Sequence, residues 1–207
     1  QRGTSMYQEE HNIFREAFRK FIEQEVTPHL AEWEEARIVP REVWLKMGAS
    51  GFLCPWLTEE YVGTGADFLY SVIITEELAR AGAVSLLTPL HSDIIAPYLF
   101  HLGTQEQKMK WLPGCATGEC ILAVAMTEPN TGSDLAAMRT RAERDGDDFI
   151  IIGQKTFISN GSHADLVIVA CRTGGQGPGA KGISLICVER DAPGFERSRR
   201  LEKMGWH

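Results

Sequence analysis

In the segment HNIFREAFRKFIEQEV, the apolar residues Phe14, Phe18, Phe21, Ile22 and Val26 recur at helical spacing with charges between them. That pattern predicts an amphipathic helix. Pro28 weakens its end, and EWEEAR offers a continuation. Arg41 to Met47 predicts a short second helix, ended near Gly48 and Gly51. WLTEEYVGTGADF, with Gly63 and Gly65, reads as a loop. Phe68 to Arg80 is apolar on most faces and predicts a buried helix. Ser92 to His101 predicts another, with Pro97 tolerated only early in it or at a kink. Thr104 and Gln107 have capping-box spacing and open a helix toward Trp111, which Pro113-Gly114 should stop.

The texture changes at Ile121. ILAVAM is a short β-type run, and MRTRAER and DDFIIIG flank Asp145-Gly146, a strong hairpin signal. KTFIS is a further run, followed by the turn residues Asn160-Gly161. LVIVAC and GISLICVE flank GGQGPGAKG, a flexible loop. That loop has neither a GxGxxG nor a Walker pattern and does not join a strand to a helix, so a hairpin connection is favoured over a phosphate cradle. Helices followed by strands predict an α+β chain of two domains, all-α over residues 1–122 and antiparallel β over 123–207, rather than alternating βαβ units. The chain shows no internal repeat.

Composition narrows the function classes. The 207 residues are 43% hydrophobic and 24% charged, enough for a sizeable core. A formal net charge of −7 argues against nonspecific nucleic-acid binding, which needs basic surface; it leaves room for a local basic site. Five cysteines are scattered without a CxxC, and the histidines do not cluster with them. This fits buried thiols in a reducing compartment better than a disulfide framework or a metal site. QRGTSMYQEEHNIF has no signal-peptide core, and no apolar run approaches the ~20 residues of a transmembrane helix.

Two segments carry candidate chemistry. In Met126 to Ser133, Gly and Pro expose backbone, and Thr127 and Ser133 add hydroxyls for a planar, polar-edged ligand. Asp134 is placed to cap a following turn. Taken alone, the same residues suit a capped loop joining two domains. In QKTFISNG, Phe157 and Ser159 are two apart on the expected strand and so share a face. A flat ring and a hydroxyl suit one wall of a flavin site, but they equally suit a half-buried strand.

Together, MTEPNTGSD followed by GQKTFISNG resembles the acyl-CoA dehydrogenase family. EEYVGTGADF, ITEELARAGA, PLHSDIIAPYL, GTQEQKMKWLPG and GISLICVERDAPGF extend the likeness along nearly the whole chain, in family order. MTEP, FISNG and EKMG lean toward the long-chain-type branch.

The resemblance implies an N-terminal helical domain, a middle β-barrel and a C-terminal helical bundle with FAD held between domains. It implies α,β-dehydrogenation of fatty acyl-CoA thioesters to trans-2-enoyl-CoA, as in β-oxidation. It further implies that electrons pass to an electron-transferring flavoprotein and that the full-length assembly is a homotetramer. By position, Val124, Ala125, Met126, Thr127, Gly132 and Ser133 would lie against the isoalloxazine, with Thr127 at its pyrimidine edge and Ser133 where the CoA arm passes. Phe157, Ile158 and Ser159 would line the other side; many relatives carry Trp at the position of Phe157. Ala180 and Lys181 fall where some relatives contact CoA, although a solvated loop lysine is an equal reading. Glu128 reads as structural, because Pro129 follows it and the family's base comes from the later bundle. By the same comparison the sequence stops in mid-barrel and lacks the bundle, so a partial chain is expected, with no catalytic base among these residues. The competing expectations are a relative using oxygen as acceptor and a non-catalytic flavin or acyl-CoA binding fragment. Bacterial cytoplasm is the first expectation for location, and mitochondrial matrix the second.

Overall fold

The computed structural model describes residues 6–174, 181–198 and 200–203. Two compact units emerge: a sheet unit over Leu122–Leu201, and a helical unit holding the rest of the described chain.

In the helical unit, α1 spans Glu9–Phe21 and runs on through a π-helical turn at Ile22–Val26. A 3-10 turn containing Pro28 leads into α2, Leu30–Ala36. The expected helical continuation after Pro28 is thus present, with the proline in a separate turn. Helices α3 (Arg41–Ala49), α4 (Phe68–Arg80), α5 (Ala96–Leu102) and α6 (Gln105–Thr117) follow. Pro97 sits in the first turn of α5, where a missing N–H costs nothing. A π-helical turn, Leu90–Ile95, precedes it.

Phe52 is the hub of the core. Its ring meets those of Phe14, Phe18 and Phe21 edge-on, at centroid distances of 5.4, 4.7 and 5.3 Å. The periodic phenylalanines of α1 therefore converge on one residue of the loop after α3. Trp33, Trp44, Met47, Ile74 and Leu78 complete the cluster. His11 ties α1 to α4: its Nδ1 accepts from the Gln8 N–H at 3.1 Å, and its Nε2 donates to Asp67 at 3.1 Å. Asp67 also accepts from the Leu69 N–H at 2.8 Å, capping α4.

Two expectations for this unit need correction. Helix α6 does not stop at Pro113-Gly114 but continues to Thr117. Leu112, Cys115 and Ala116 are buried there, and that packing outweighs the hydrogen bond that Pro113 removes. The helix ends at Gly118, whose φ of 81° suits glycine and whose Cα lies so near α3 that an added Cβ would be 2.3 Å from the Trp44 carbonyl oxygen. Helix α4 is also less uniformly apolar than its sequence suggests, since Glu77 is buried on its core face while Phe68 is exposed. Arg15 and Arg19 of α1 meet that carboxylate.

Val62, in the loop before α4, has φ 65° and is mostly exposed. A β-branched residue is strained there. Val62→Gly is therefore expected to stabilise the unit by about 1 kcal/mol, because the relieved strain exceeds the added chain entropy. Urea denaturation checks the sign, and a destabilised variant would refute it.

The sheet unit has strands β1 (Leu122–Ala125), β2 (Arg141–Asp145), β3 (Asp148–Ile152), β4 (Leu166–Arg172) and β5 (Ile183–Glu189). The expected hairpin forms: β2 and β3 pair antiparallel with Asp145 opposite Asp148, and Gly146 takes φ 63° in the turn. The helix-then-sheet order also holds, but the sheet is mixed rather than purely antiparallel. β5 runs antiparallel along all of β4, whereas β1 and β2 are parallel to β4, with Leu122 opposite Leu166 and Arg141 opposite Arg172. The physical reason is connectivity. The long excursion between β1 and β4 contains the β2–β3 hairpin, so β1 and β2 lie one after the other on the edge of β4 away from β5. β4 is buried along nearly its whole length, as its unbroken apolar run requires. The described strands form an open path from β1 to β3, not a closed barrel. No helix of the described residues is long and apolar enough to cross a membrane.

Candidate functional site

The two candidate segments meet in the sheet unit. β1 sends Ala123 and Ala125 into a core with Ala164, Val167 and Val169; strand alternation turns half-buried Val124 to the other face. Any part Ala125 takes in binding comes through its backbone, since its side chain is buried. The chain leaves the sheet at Met126 and doubles back over Pro129-Asn130. The Glu128 N–H donates to the Thr131 carbonyl at 2.9 Å, and the Thr131 N–H returns the bond at 3.1 Å. Gly132, Ser133 and Asp134 are exposed. A 3-10 turn, Leu135–Ala137, follows. Asp134 supports it through its backbone carbonyl, which accepts from the Ala137 N–H at 3.0 Å. Its carboxylate makes no cap bond, contrary to the capping role expected for it.

The second segment differs from its expectation. KTFIS forms no strand, so Phe157 and Ser159 do not share a strand face. Phe157 and Asn160 take φ of 58° and 61°, and two left-handed residues break an extended run. Hydrogen bonds to the first segment and to β1 hold the loop instead. The Thr156 N–H donates to the Thr127 carbonyl at 2.9 Å. Lys155 Nζ donates to the Met126 carbonyl at 2.8 Å. Asn160 Nδ2 donates to the Leu122 carbonyl at 3.2 Å.

Met126 and Thr127 thus lie beside Lys155 and Thr156. Ile158 packs on the Ala123–Ala125 core. The ring of Phe157 points away from the core and is 71% exposed. Among the described residues, the hydroxyls of Thr127, Ser133 and Ser159 make no hydrogen bond within the chain, and neither does the Thr127 N–H. Lys181 is exposed, and among the described residues no hydrogen bond or ion pair links it or Ser133 to the Met126–Thr156 junction. Ala180 lies outside the described residues.

Glu128 is fixed by its surroundings. Its buried carboxylate accepts from the Arg139 N–H at 2.7 Å, the Thr140 N–H at 2.9 Å and Lys155 Nζ at 2.9 Å. Burial pushes its pKa up, but the donors at Thr140, Arg139 and Lys155 win and hold it at about 2. A carboxylate that acidic, with its oxygens occupied, is a poor proton acceptor at neutral pH, which agrees with its structural reading. Sequence reasoning overlooked its partner Lys155. The available signal was Glu128 itself: an acidic residue leaving a buried strand needs a cation, and QKTF supplies one. Arg172 was overlooked too. Its guanidinium donates to the Met138 carbonyl at 3.0 Å and to the Ala136 carbonyl, holding the return of the first loop against β4. No group of three His, Cys, Asp or Glu among the described residues is placed to hold a metal ion.

Comparison with known proteins places this geometry. Residues 8–119 match the family described as acyl-CoA dehydrogenase, N-terminal domain, and residues 123–207 match its middle domain. The long-chain specific acyl-CoA dehydrogenase of Mus musculus mitochondria is 46% identical over 201 residues, covering 97% of this chain and 47% of the relative. The crystal structure of an acyl-CoA dehydrogenase from Geobacillus kaustophilus superposes with a TM-score of 0.95 at 57% identity, covering 98% of this chain and 53% of that one. An acyl-CoA dehydrogenase from Bacillus anthracis complexed with FAD gives a TM-score of 0.89 at 32% identity, covering 97% and 35%. The chain spans about half the length of the curated relatives it matches. With both units matched in order, the chain belongs to the acyl-CoA dehydrogenase family.

Proposed function

We propose that this chain supplies the helical domain (1–122) and middle domain (123–207) of an FAD-dependent dehydrogenase of fatty acyl-CoA thioesters, with an electron-transferring flavoprotein as acceptor and a homotetrameric assembly. The observation that carries the reading is the junction of the two loops. An exposed phenyl ring on a left-handed backbone, and three hydroxyls and a Thr127 N–H that are unpartnered among the described residues, all belong to loops joined through Met126, Thr127, Lys155 and Thr156. This donor set suits a flat ring with a polar edge, and so it fits FAD.

FAD, when bound, supplies the acceptor for the substrate's β-hydrogen. The protein's residues position it. The N–H and hydroxyl of Thr127 donate to the polar edge of the ring, and the phenyl of Phe157 covers an apolar part and excludes water. Val124, Ala125 and Met126 contribute backbone, and Gly132 keeps the approach open. Ile158 anchors the second loop, and Ser159 offers a further donor. Ser133, with Ala180 and Lys181, takes the CoA arm, where a lysine beside phosphate is favourable. None of these groups is a base for the α-proton. The bacterial cytoplasm is the proposed location, supported by 57% identity to a bacterial chain, with the mitochondrial matrix of the 46% identical mouse relative as the alternative.

The test is the visible spectrum of the full-length protein, before and after anaerobic addition of a fatty acyl-CoA. Flavin absorption that bleaches with acyl-CoA is expected. Bound flavin that does not bleach would overturn the dehydrogenase assignment, and absence of flavin would overturn the site.

A further inference from the structure

Only 10% of the Lys155 side chain is exposed, and its ammonium donates to the Met126 carbonyl and to Glu128 Oε1. A buried ammonium is costly unless its partners are held in place. Here they fix a particular peptide. The Met126 carbonyl belongs to the same peptide unit as the Thr127 N–H. The next carbonyl, that of Thr127, accepts from the Thr156 N–H, and the Glu128 N–H is bonded to the Thr131 carbonyl. Both peptides flanking Thr127 are therefore pinned, and the Thr127 N–H is left over among the described residues. A cation on a carbonyl draws charge from the amide and strengthens its N–H as a donor.

We propose that Lys155, held by Glu128, is a positioning residue: it locks the 126–133 loop to the 154–161 loop and makes the Met126–Thr127 peptide a strengthened, fixed donor toward an acceptor on a bound planar ligand. The ligand half rests on the flavin reading above, whereas the lock between loops does not. A stronger donor at a ring edge favours the reduced, more electron-rich form, so Lys155 also biases the potential of the ring.

The experiment uses the full-length protein as wild type, Lys155→Met, Lys155→Arg and the neutral double variant Lys155→Met/Glu128→Gln, which leaves no buried charge unpaired. Hydrogen exchange is followed by mass spectrometry, and the FAD midpoint potential by dye equilibration. Both Met variants are expected to exchange about tenfold faster in the two loops together, the scale of one lost hydrogen bond, with β4 and β5 unchanged. Reduced FAD should lose about tenfold more affinity than oxidised FAD, lowering the two-electron potential by about 30 mV. Lys155→Arg should recover part of both effects. Loops that stay protected, or loosen one without the other, would overturn the lock. An unchanged potential with loosened loops would overturn the donor role. A wild type that holds no flavin removes the flavin reading, and the exchange result alone then decides the lock.

Discussion

Glu77→Ala is expected to destabilise the helical unit by about 3–5 kcal/mol, the cost of breaking a buried ion pair from one side. Only 4% of the Glu77 side chain is exposed. Arg19 donates to both of its oxygens, Nε at 2.8 Å and Nη2 at 2.9 Å, and Arg15 Nη1 adds a third bond at 2.9 Å. Arg15 is itself only 17% exposed, and the alanine variant leaves it with the half-exposed Glu76 in place of its buried partner. Glu77→Gln keeps one acceptor and should lose less. The described tryptophans, Trp33, Trp44, Trp56 and Trp111, all lie in this unit, so their fluorescence in a urea titration reads the loss. A Glu77→Ala variant within about 0.5 kcal/mol of wild type would mean that the bonds add nothing net.

The same carboxylate sets an acid limit. The bonds from Arg19, opposed by burial and aided by Arg15, lower its pKa from an ordinary 4.5 to about 2. A depressed pKa means that the unfolded chain binds the proton first as pH falls. The stabilisation is complete above pH 4.5 and is lost as pH drops toward 2. Glu77→Ala should therefore be less stable than wild type at pH 6, and the gap should narrow toward pH 2. A constant gap would disprove the linkage.

The sequence made local periodicity and turn chemistry legible. Phe14, Phe18 and Phe21 revealed α1, Thr104 with Gln107 revealed the start of α6, and Asp145-Gly146 revealed the hairpin. What it hid was decided by distant partners. Pro113 reads as a stop until Leu112, Cys115 and Ala116 are seen buried around it. The parallel placement of β1 beside β4 depends on residues far apart in the chain, and no local spacing encodes it. At the candidate site, the resemblance singled out two segments that hydrogen bonds join, but the strand expected around Phe157 is a loop. Its left-handed residues are a Phe and an Asn, and only Asn advertises that conformation in a sequence. Lys155 was overlooked for a related reason: a lysine between Gln154 and Thr156 looks solvated until it is matched with the distant Glu128.

Glu128→Ala should be the most damaging change in the sheet unit. It strips three donors of their acceptor at once: the Arg139 N–H, the Thr140 N–H and the buried ammonium of Lys155. The expected cost is about 3–5 kcal/mol, most of it from the uncompensated ammonium. It falls on the path from Glu128 to Thr140, so protease cutting between Gly132 and Arg139 should rise before the strands unfold. Removing both charges in the Lys155→Met/Glu128→Gln variant should recover part of that loss, which plain deletion of a hydrogen bond would not. Acid should mimic the alanine variant. With a pKa near 2 in the fold, Glu128 stabilises fully above its ordinary 4.5 and progressively less below it. Wild-type cutting in this segment should therefore increase as pH falls below 4.5, in an acid-tolerant protease assay, while the Glu128→Ala variant stays open throughout. Equal cutting of the two proteins at pH 7 would show that the 132–139 segment is held by Arg172 and the sheet rather than by this carboxylate.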